Sequence, residues 1–230
     1  KGLGRITGRL PQSFGDEVVA SVLMSFAEGA SDSAWHGGCL ALAELARRGL
    51  LLPGRLGEVV PVVAKALQYD VRRGHTSVGA HVRDAACYVC WAFARAYSPL
   101  VMREHVPRLA EGMLLTSLFD REINCRRAAS AAFQENVGRQ GHENFPHGIE
   151  ILTAADYFSL GNRSVAFLEV SPKVACYGRY TKVVIDHLAG VKLRHWDVGV
   201  RRLASLTLRR VVGLAPAYMC EEVLPALLRE

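Results

Sequence analysis

The sequence predicts an all-α fold, an α-α superhelix in which helix pairs pile up side by side. Three observations carry this. A helix start recurs at nearly regular intervals, a proline follows three of those starts at a constant distance, and apolar residues fall at helical spacing.

The start is clearest in VRDAACYVCWAF from Val82, CRRAASAAF from Cys125 and VRRLASLTL from Val200. Each has an apolar residue, then Arg, then small or apolar residues. NRSVAFL from Asn162 is a weaker copy, and WHGGCLALAEL from Trp35 is a copy without the Arg. The key positions His36, Arg83, Arg126, Arg163 and Arg201 lie 47, 43, 37 and 38 residues apart. HEAT and armadillo repeats run at about 40–47 residues, so a solenoid of that type is expected. Pro61, Pro107 and Pro225 follow His36, Arg83 and Arg201 by 25, 24 and 24 residues, which sets a second landmark in phase with the first.

Helices are expected near 14–28, 34–48, 55–69, 80–96, 99–115, 121–137, 148–157, 163–176, 179–193 and 196–213, with another from about 217. They group into repeats at about 12–49, 53–97, 99–138, 146–177 and 179–214, and a partial one at 216–230. The 80–96 helix has the cleanest stripe, with Val82, Ala85, Ala86, Val89, Cys90, Phe93 and Tyr97 on one face. Ala128, Ala129, Ala132, Phe133 and Val137 continue the pattern in the 121–137 helix, where small residues let neighbours approach closely. Ser98-Pro99 reads as a cap followed by proline at the first helical position. Gly49, Gly138, Gly161 and Gly178 fall near expected helix ends. Residues 70–79 and 139–146 read as loops, and Pro172 either kinks or splits its helix.

Half of the 230 residues are hydrophobic and 22% are charged, which favours a packed core over disorder. No apolar run is long enough to span a bilayer, and the first residues hold no signal-peptide core. Position 1 is not Met and a helical pattern runs to the end, so a piece of a longer scaffold is expected. The six cysteines mostly sit in apolar helical runs, as reduced core thiols do in the cytosol or nucleus. The net charge of +6 favours acidic partners, but basic residues occur as pairs and not as a nucleic-acid-binding block.

Motifs that carry chemistry are scarce. Cys87-Tyr-Val-Cys90 is a C-x-x-C inside the apolar stripe, with no second ligand pair for zinc. His142 and His147 share a stretch with Glu143 but show no metal-ligand convergence. His36-Gly37-Gly38 has no G-x-S-x-G partner motif. The glycines from Gly2 to Gly8 lack the phosphate-loop Lys-Ser/Thr. No catalytic, cofactor or metal residue is therefore assigned. Asn162-Arg163-Ser164 matches a glycosylation sequon and suits a helix cap. Arg83, Arg126 and Arg201, at one phase of the repeat, either form a ladder with acidic or carbonyl groups of neighbouring repeats or contact a partner. Asp120 and Asp197 lie six and four residues ahead of Arg126 and Arg201, as capping and pairing across a turn require. Phe133–Gly148 gathers polar, amide and charged groups at a helix end and loop, where binding residues are commonly displayed. The candidate partner-binding residues are Gln134, Glu135, Asn136, Arg139, Gln140, Arg126 and Arg127.

Long stretches also resemble a known family. AWHGGCLALAELARRGLLLP, VRDAACYVCWAFARAY, FDREINCRRAASAAFQENVGRQG, FPHGIEILTAADYFSLGNRS and IDHL are similar to the central region of the tubulin-folding cofactor D family. The resemblance covers nearly the whole chain and is weakest at 168–182. It implies a large cytosolic, cytoskeleton-associated HEAT-repeat chaperone without a catalytic site or cofactor. The implied partners are β-tubulin, cofactor E carrying α-tubulin, cofactor C and an Arf-like small GTPase, with no nucleic acid and no membrane span. Without that resemblance, the repeat pattern alone leaves a transport or trafficking adaptor, or a nucleic-acid-associated scaffold, open.

Overall fold

The computed structural model describes residues 2–9 and 11–229, which form an all-α solenoid with one short β-ribbon. The first half contains α1 (Gly2–Thr7), α2 (Gln12–Leu23), α3 (Asp32–Arg47), α4 (Leu56–Leu67), α5 (Ala80–Ala96), α6 (Pro99–Met102), α7 (Val106–Phe119) and α8 (Ile123–Asn144). Helices α3, α5 and α8 pack in sequence along one layer, and α4 packs on α7 in the other. Across the layers α4 meets α5 and α7 meets α8. The predicted stripe from Val82 to Phe93 is buried, and one apolar core runs from Val19 to Val223. At about 25 cal/mol per Å² of apolar area, this shared seam is the main stabilising term.

Local chemistry explains where helices begin. Ser31 accepts a hydrogen bond from the Ala34 amide and opens α3, with Asp32 in the first turn. Ser98 accepts from Val101 and opens α6. Asn162 accepts from Ser164 and Val165, so the sequon asparagine is a helix cap. In the other layer, Gly112 lets α7 close onto α4; a Cβ there would lie 2.8 Å from Leu67.

Side chains stitch successive helices to one another's backbone. Tyr97 donates to Leu51 O, 46 residues away, and Thr116 donates to Leu67 O, 49 residues away. Asn136 donates to Cys90 O, Gln140 to Ala94 O and Asn144 to Pro99 O, at separations of 46, 46 and 45 residues. These separations of 45–49 residues lie close to the first two intervals between helix starts, 47 and 43.

Several expected boundaries move. Residues 70–79 are not a plain loop: β1 (Val71–Arg73) and β2 (Thr76–Val78) form an antiparallel hairpin. Gly74 (φ 62) takes the first turn position, where a two-residue hairpin of the II′ type needs a left-handed residue. The expected 99–115 helix is split into α6 and α7, with Pro107 in the first turn of the second. The expected loop 139–146 is mostly helix, because α8 continues to Asn144 across a break at Gly141 (φ 75, ψ 175). Of the four glycines expected at helix ends, Gly49 alone is left-handed (φ 70).

The second half is built from shorter pieces. α9 (Gly148–Ala154) has only seven residues, so α7 meets the following segments directly. α10 (Arg163–Val165) runs through a π-helical segment, Ala166–Val170, into α11 (Ser171–Ala175). Pro172 thus neither kinks nor splits the helix: the Ser171 amide bonds to Ala166 O, and the wider turn absorbs the donor that proline lacks. α12 (Gly178–His187) leads into a second π segment, Leu188–Lys192, and α13 (Val198–Val211) follows. α14 (Pro216–Tyr218), a third π segment and α15 (Leu224–Leu228) close the described chain, with Pro225 placed after its π turn as Pro172 is after its own.

Candidate partner-binding face

Helix α8 carries all seven predicted residues, and its phase divides them. Asn136 and Gln140 point inward and are 1% and 2% exposed. Their amides serve the carbonyls of α5 and the turn after it, including Tyr97 O at 3.2 Å from Gln140. Asn144 extends the same row by another helical turn. Polar residues at i, i+4 and i+8 suggest a displayed loop in the sequence, yet here they form a buried amide row. Arg126 is likewise buried at 2% exposure and donates to Leu160 O, Gly161 O, Asp120 O and Arg121 O. Its acceptors are all carbonyls, and burial pulls its pKa below the ordinary arginine value.

Four predicted residues remain accessible: Gln134, Glu135, Arg139 and Arg127. Glu135 accepts from Arg95 at 2.8 Å and from Arg139 at 2.9 Å. Desolvation raises the Glu135 carboxyl pKa, but the two guanidiniums outweigh it and the net shift is downward. Glu44 on α3 has the same arrangement, with Arg47 at 3.1 Å and Arg48 at 3.6 Å. Each carboxylate is shared by two arginines, so each cluster keeps a net positive charge on the α3–α5–α8 face. Arg127 lies on another side of α8, with its guanidinium 4.0 Å from the centre of the Tyr157 ring.

The expected arginine ladder is present with altered rungs. Asp120 pairs with Arg83 of the preceding repeat, at 2.6 and 3.1 Å, and Asp197 pairs with Arg163 at 3.3 Å. Arg126 and Arg201 instead donate to main-chain carbonyls five and six residues before them. Arg83 also donates to Tyr69 O, while Asp70 lies 3.5 Å from His195. Arg83, Asp120, Asp70, His195 and Lys192 line a cavity of about 50 Å³. Burial draws the Lys192 pKa down to about 8. Both acids in this cluster already hold a base, so it works as a clasp between the hairpin, the end of α7 and the segment after α12.

Cys39, Cys87, Cys90 and Cys125 are buried, and burial pushes the Cys39 and Cys125 thiols up to about 12. His147 adopts a left-handed conformation (φ 59) and stacks on Tyr177 at 4.9 Å. Among the described residues no group of three or more His, Cys, Asp or Glu side chains converges as a metal site. Sequence reasoning missed Tyr88 and Trp91, which stand half-buried between the two arginine clusters. Their signal was present: both are large aromatics lying off the buried stripe of α5.

A family model described as "Tubulin-specific chaperone D-like, ARM repeats" matches residues 1–149. A Dictyostelium discoideum protein named tubulin-specific chaperone D is 45% identical over 235 aligned residues, covering 99% of this chain and 16% of that protein. A Schizosaccharomyces pombe protein named tubulin-folding cofactor D is 32% identical over 225 residues, covering 92% of this chain and 20% of that protein. The chain thus spans a fifth or less of the length of these relatives. No solved structure matches it.

Proposed function

The chain belongs to the tubulin-specific chaperone D family, and from that premise we propose that it is a non-enzymatic scaffold segment acting in tubulin folding. The observation that carries this reading is 45% identity to a protein named tubulin-specific chaperone D, aligned over 99% of this chain. In the full reading, the parent protein holds β-tubulin in the cytoplasm. It then joins cofactor E, cofactor C and an Arf-like GTPase to assemble the α/β dimer. The repeats expected at 12–49, 53–97, 99–138, 146–177, 179–214 and 216–230 form its scaffold here.

A stack of this kind suits a client that is folded but unpaired, because it offers a long surface made of many near-equivalent faces. Tubulin is acidic, and the net +6 charge favours attraction to it, weakened by salt. Gln134, Glu135, Arg139 and Arg127 are the predicted residues free to take part. Asn136, Gln140 and Arg126 support them from inside.

The test is co-precipitation with the full-length parent from cell lysate, with Arg139→Glu beside it. Recovery of β-tubulin that falls several-fold in the variant, with an unchanged melting curve, supports the reading. Arg139 is exposed, and its pair with Glu135 contributes only about 0.5 kcal/mol, so folding is not at stake. Absence of β-tubulin from the parent's partners, or recovery of RNA in its place at physiological salt, overturns it.

A further inference from the structure

Tyr88 and Trp91 on α5 face a contrasting surface on α8. The α8 side is lined by Ala128, Ala131 and Ala132, and at the 43-residue repeat offset Ala131 is the equivalent of Tyr88. Small side chains opposite two aromatics leave an open groove of about 270 Å³, floored by Cys87 and Ala132. The aromatic wall is held in place. The Tyr88 and Trp91 rings stack at 5.8 Å, the Tyr88 hydroxyl donates to Glu44, and Arg47 donates to that hydroxyl. Arg95 lies 4.8 Å from the centre of the Trp91 ring.

The lining includes one carboxylate, Asp84, and the arginines around it outnumber the acids. Arg47 and Arg48 share Glu44 toward α3, and Arg95 and Arg139 share Glu135 toward the far end of α8. Both clusters keep unused guanidinium donors and a net positive charge. Tryptophan, tyrosine and arginine in this arrangement are the residue types that carry most interface energy. We propose that the groove seats one apolar side chain of a partner's amphipathic helix, whose carboxylates on the adjacent turns meet the arginines that flank Trp91, Arg47 on the α3 side and Arg95 with Arg139 toward the end of α8. A second copy of this chain is a poor occupant, because it would bring two positive rims together on a molecule already at +6. The assignment goes beyond the proposed function and does not require the partner to be tubulin.

The experiment uses the whole chain labelled with 5-fluorotryptophan, followed by fluorine NMR. Trp35 and Trp196 serve as internal references, and Trp91→Phe identifies the remaining signal. The probe is a synthetic helix with a central Leu flanked by Glu at i−4 and i+4; its control carries Lys in place of Glu. The acidic helix is expected to shift the Trp91 signal alone and to bind at least about tenfold more tightly than the control. Ala131→Trp, which fills the groove from an exposed position, abolishes the shift without changing the melting curve. Arg47→Glu, also exposed, reverses part of the preference between the two helices. The proposal is overturned by an unmoved Trp91 signal at millimolar acidic helix or by equal binding of both helices. Unchanged binding in Ala131→Trp also overturns it. A Trp91 shift that follows protein concentration without peptide, with dimers in sedimentation, assigns the groove to a second copy instead.

Discussion

From α4 to α8, side chains reach backbone carbonyls 43–49 residues away, and apart from the four-residue α6 the helices have 12 to 22 residues. After α9 the corresponding bonds span 40 and 42 residues, as from Thr207 to Phe167 O and from Arg210 to Leu168 O. Three π segments lie in this second stretch, and α9 is cut to seven residues. Where the second helix of a pair is short, its neighbours close the space. Phe119 on α7 meets Phe167 at 5.0 Å and His187 at 5.6 Å. The comparison teaches that this solenoid accommodates a short helix by bringing its flanking segments into contact, with aromatic contacts and a charge cluster filling the joint.

The sharpest way to break the regular half is Ala129→Asp. Ala129 is 0% exposed on the seam of α8, so the substitution buries an unpaired carboxylate. A loss of about 4 kcal/mol or more is expected in denaturant titration. An unaltered unfolding midpoint would refute the phase assigned to α8.

A paired substitution compares the two halves directly. Asn136→Leu removes the donor to Cys90 O, and Thr207→Val removes the donor to Phe167 O. Each leaves a buried carbonyl with one partner fewer, at a cost of about 1–2 kcal/mol by chemical denaturation. Equal losses mean that both halves depend on stitching to the same degree. A clearly smaller loss for Thr207→Val would show that the π segment, whose bonds are already irregular, adapts more readily.

The smallest effect is a pH response confined to the joint. Burial holds the His187 pKa well below its ordinary 6.5, and the nearby Lys192 charge adds to this. Unfolded chain takes up the imidazole proton near pH 6.5, whereas folded chain resists it until lower pH. Acid therefore favours the unfolded state, and stability falls as pH drops below about 6.5. In His187→Leu that part of the loss should vanish, read as a flatter plot of denaturation midpoint between pH 6.5 and 5. An identical slope in both proteins removes His187 from the account.

The helix stack could be read from the sequence because its signals are local or periodic: the Val82 stripe, the Ser98 and Asn162 caps, and arginines at one phase. What could not be read depends on partners distant along the chain. Asn136, Gln140 and Asn144 resemble a polar loop until the carbonyls of Cys90, Ala94 and Pro99 are placed beside them. Asp120 stands six residues from Arg126 in sequence but pairs with Arg83, because the preceding repeat brings that guanidinium closer. Pro172 gives no hint of a π turn, since its missing donor can be accommodated by a kink, a split or a wider turn. On the accessible face, Glu135 and Arg139 were legible as charges. The Trp91 groove was not, because it exists only where two helices are laid side by side.

The stitching bonds also have a direction. In most of them a side chain on the later helix donates to the main chain of the earlier one; Gln68, Arg126 and Ser130 run the other way. A carbonyl is offered by every residue, whatever its side chain. The receiving helix can therefore change its surface composition without losing the bond, while the giving helix must keep its Asn, Gln, Thr or Tyr. Mutational tolerance along the molecule should be lopsided for this reason, with each helix held mainly by what it owes to the one before it.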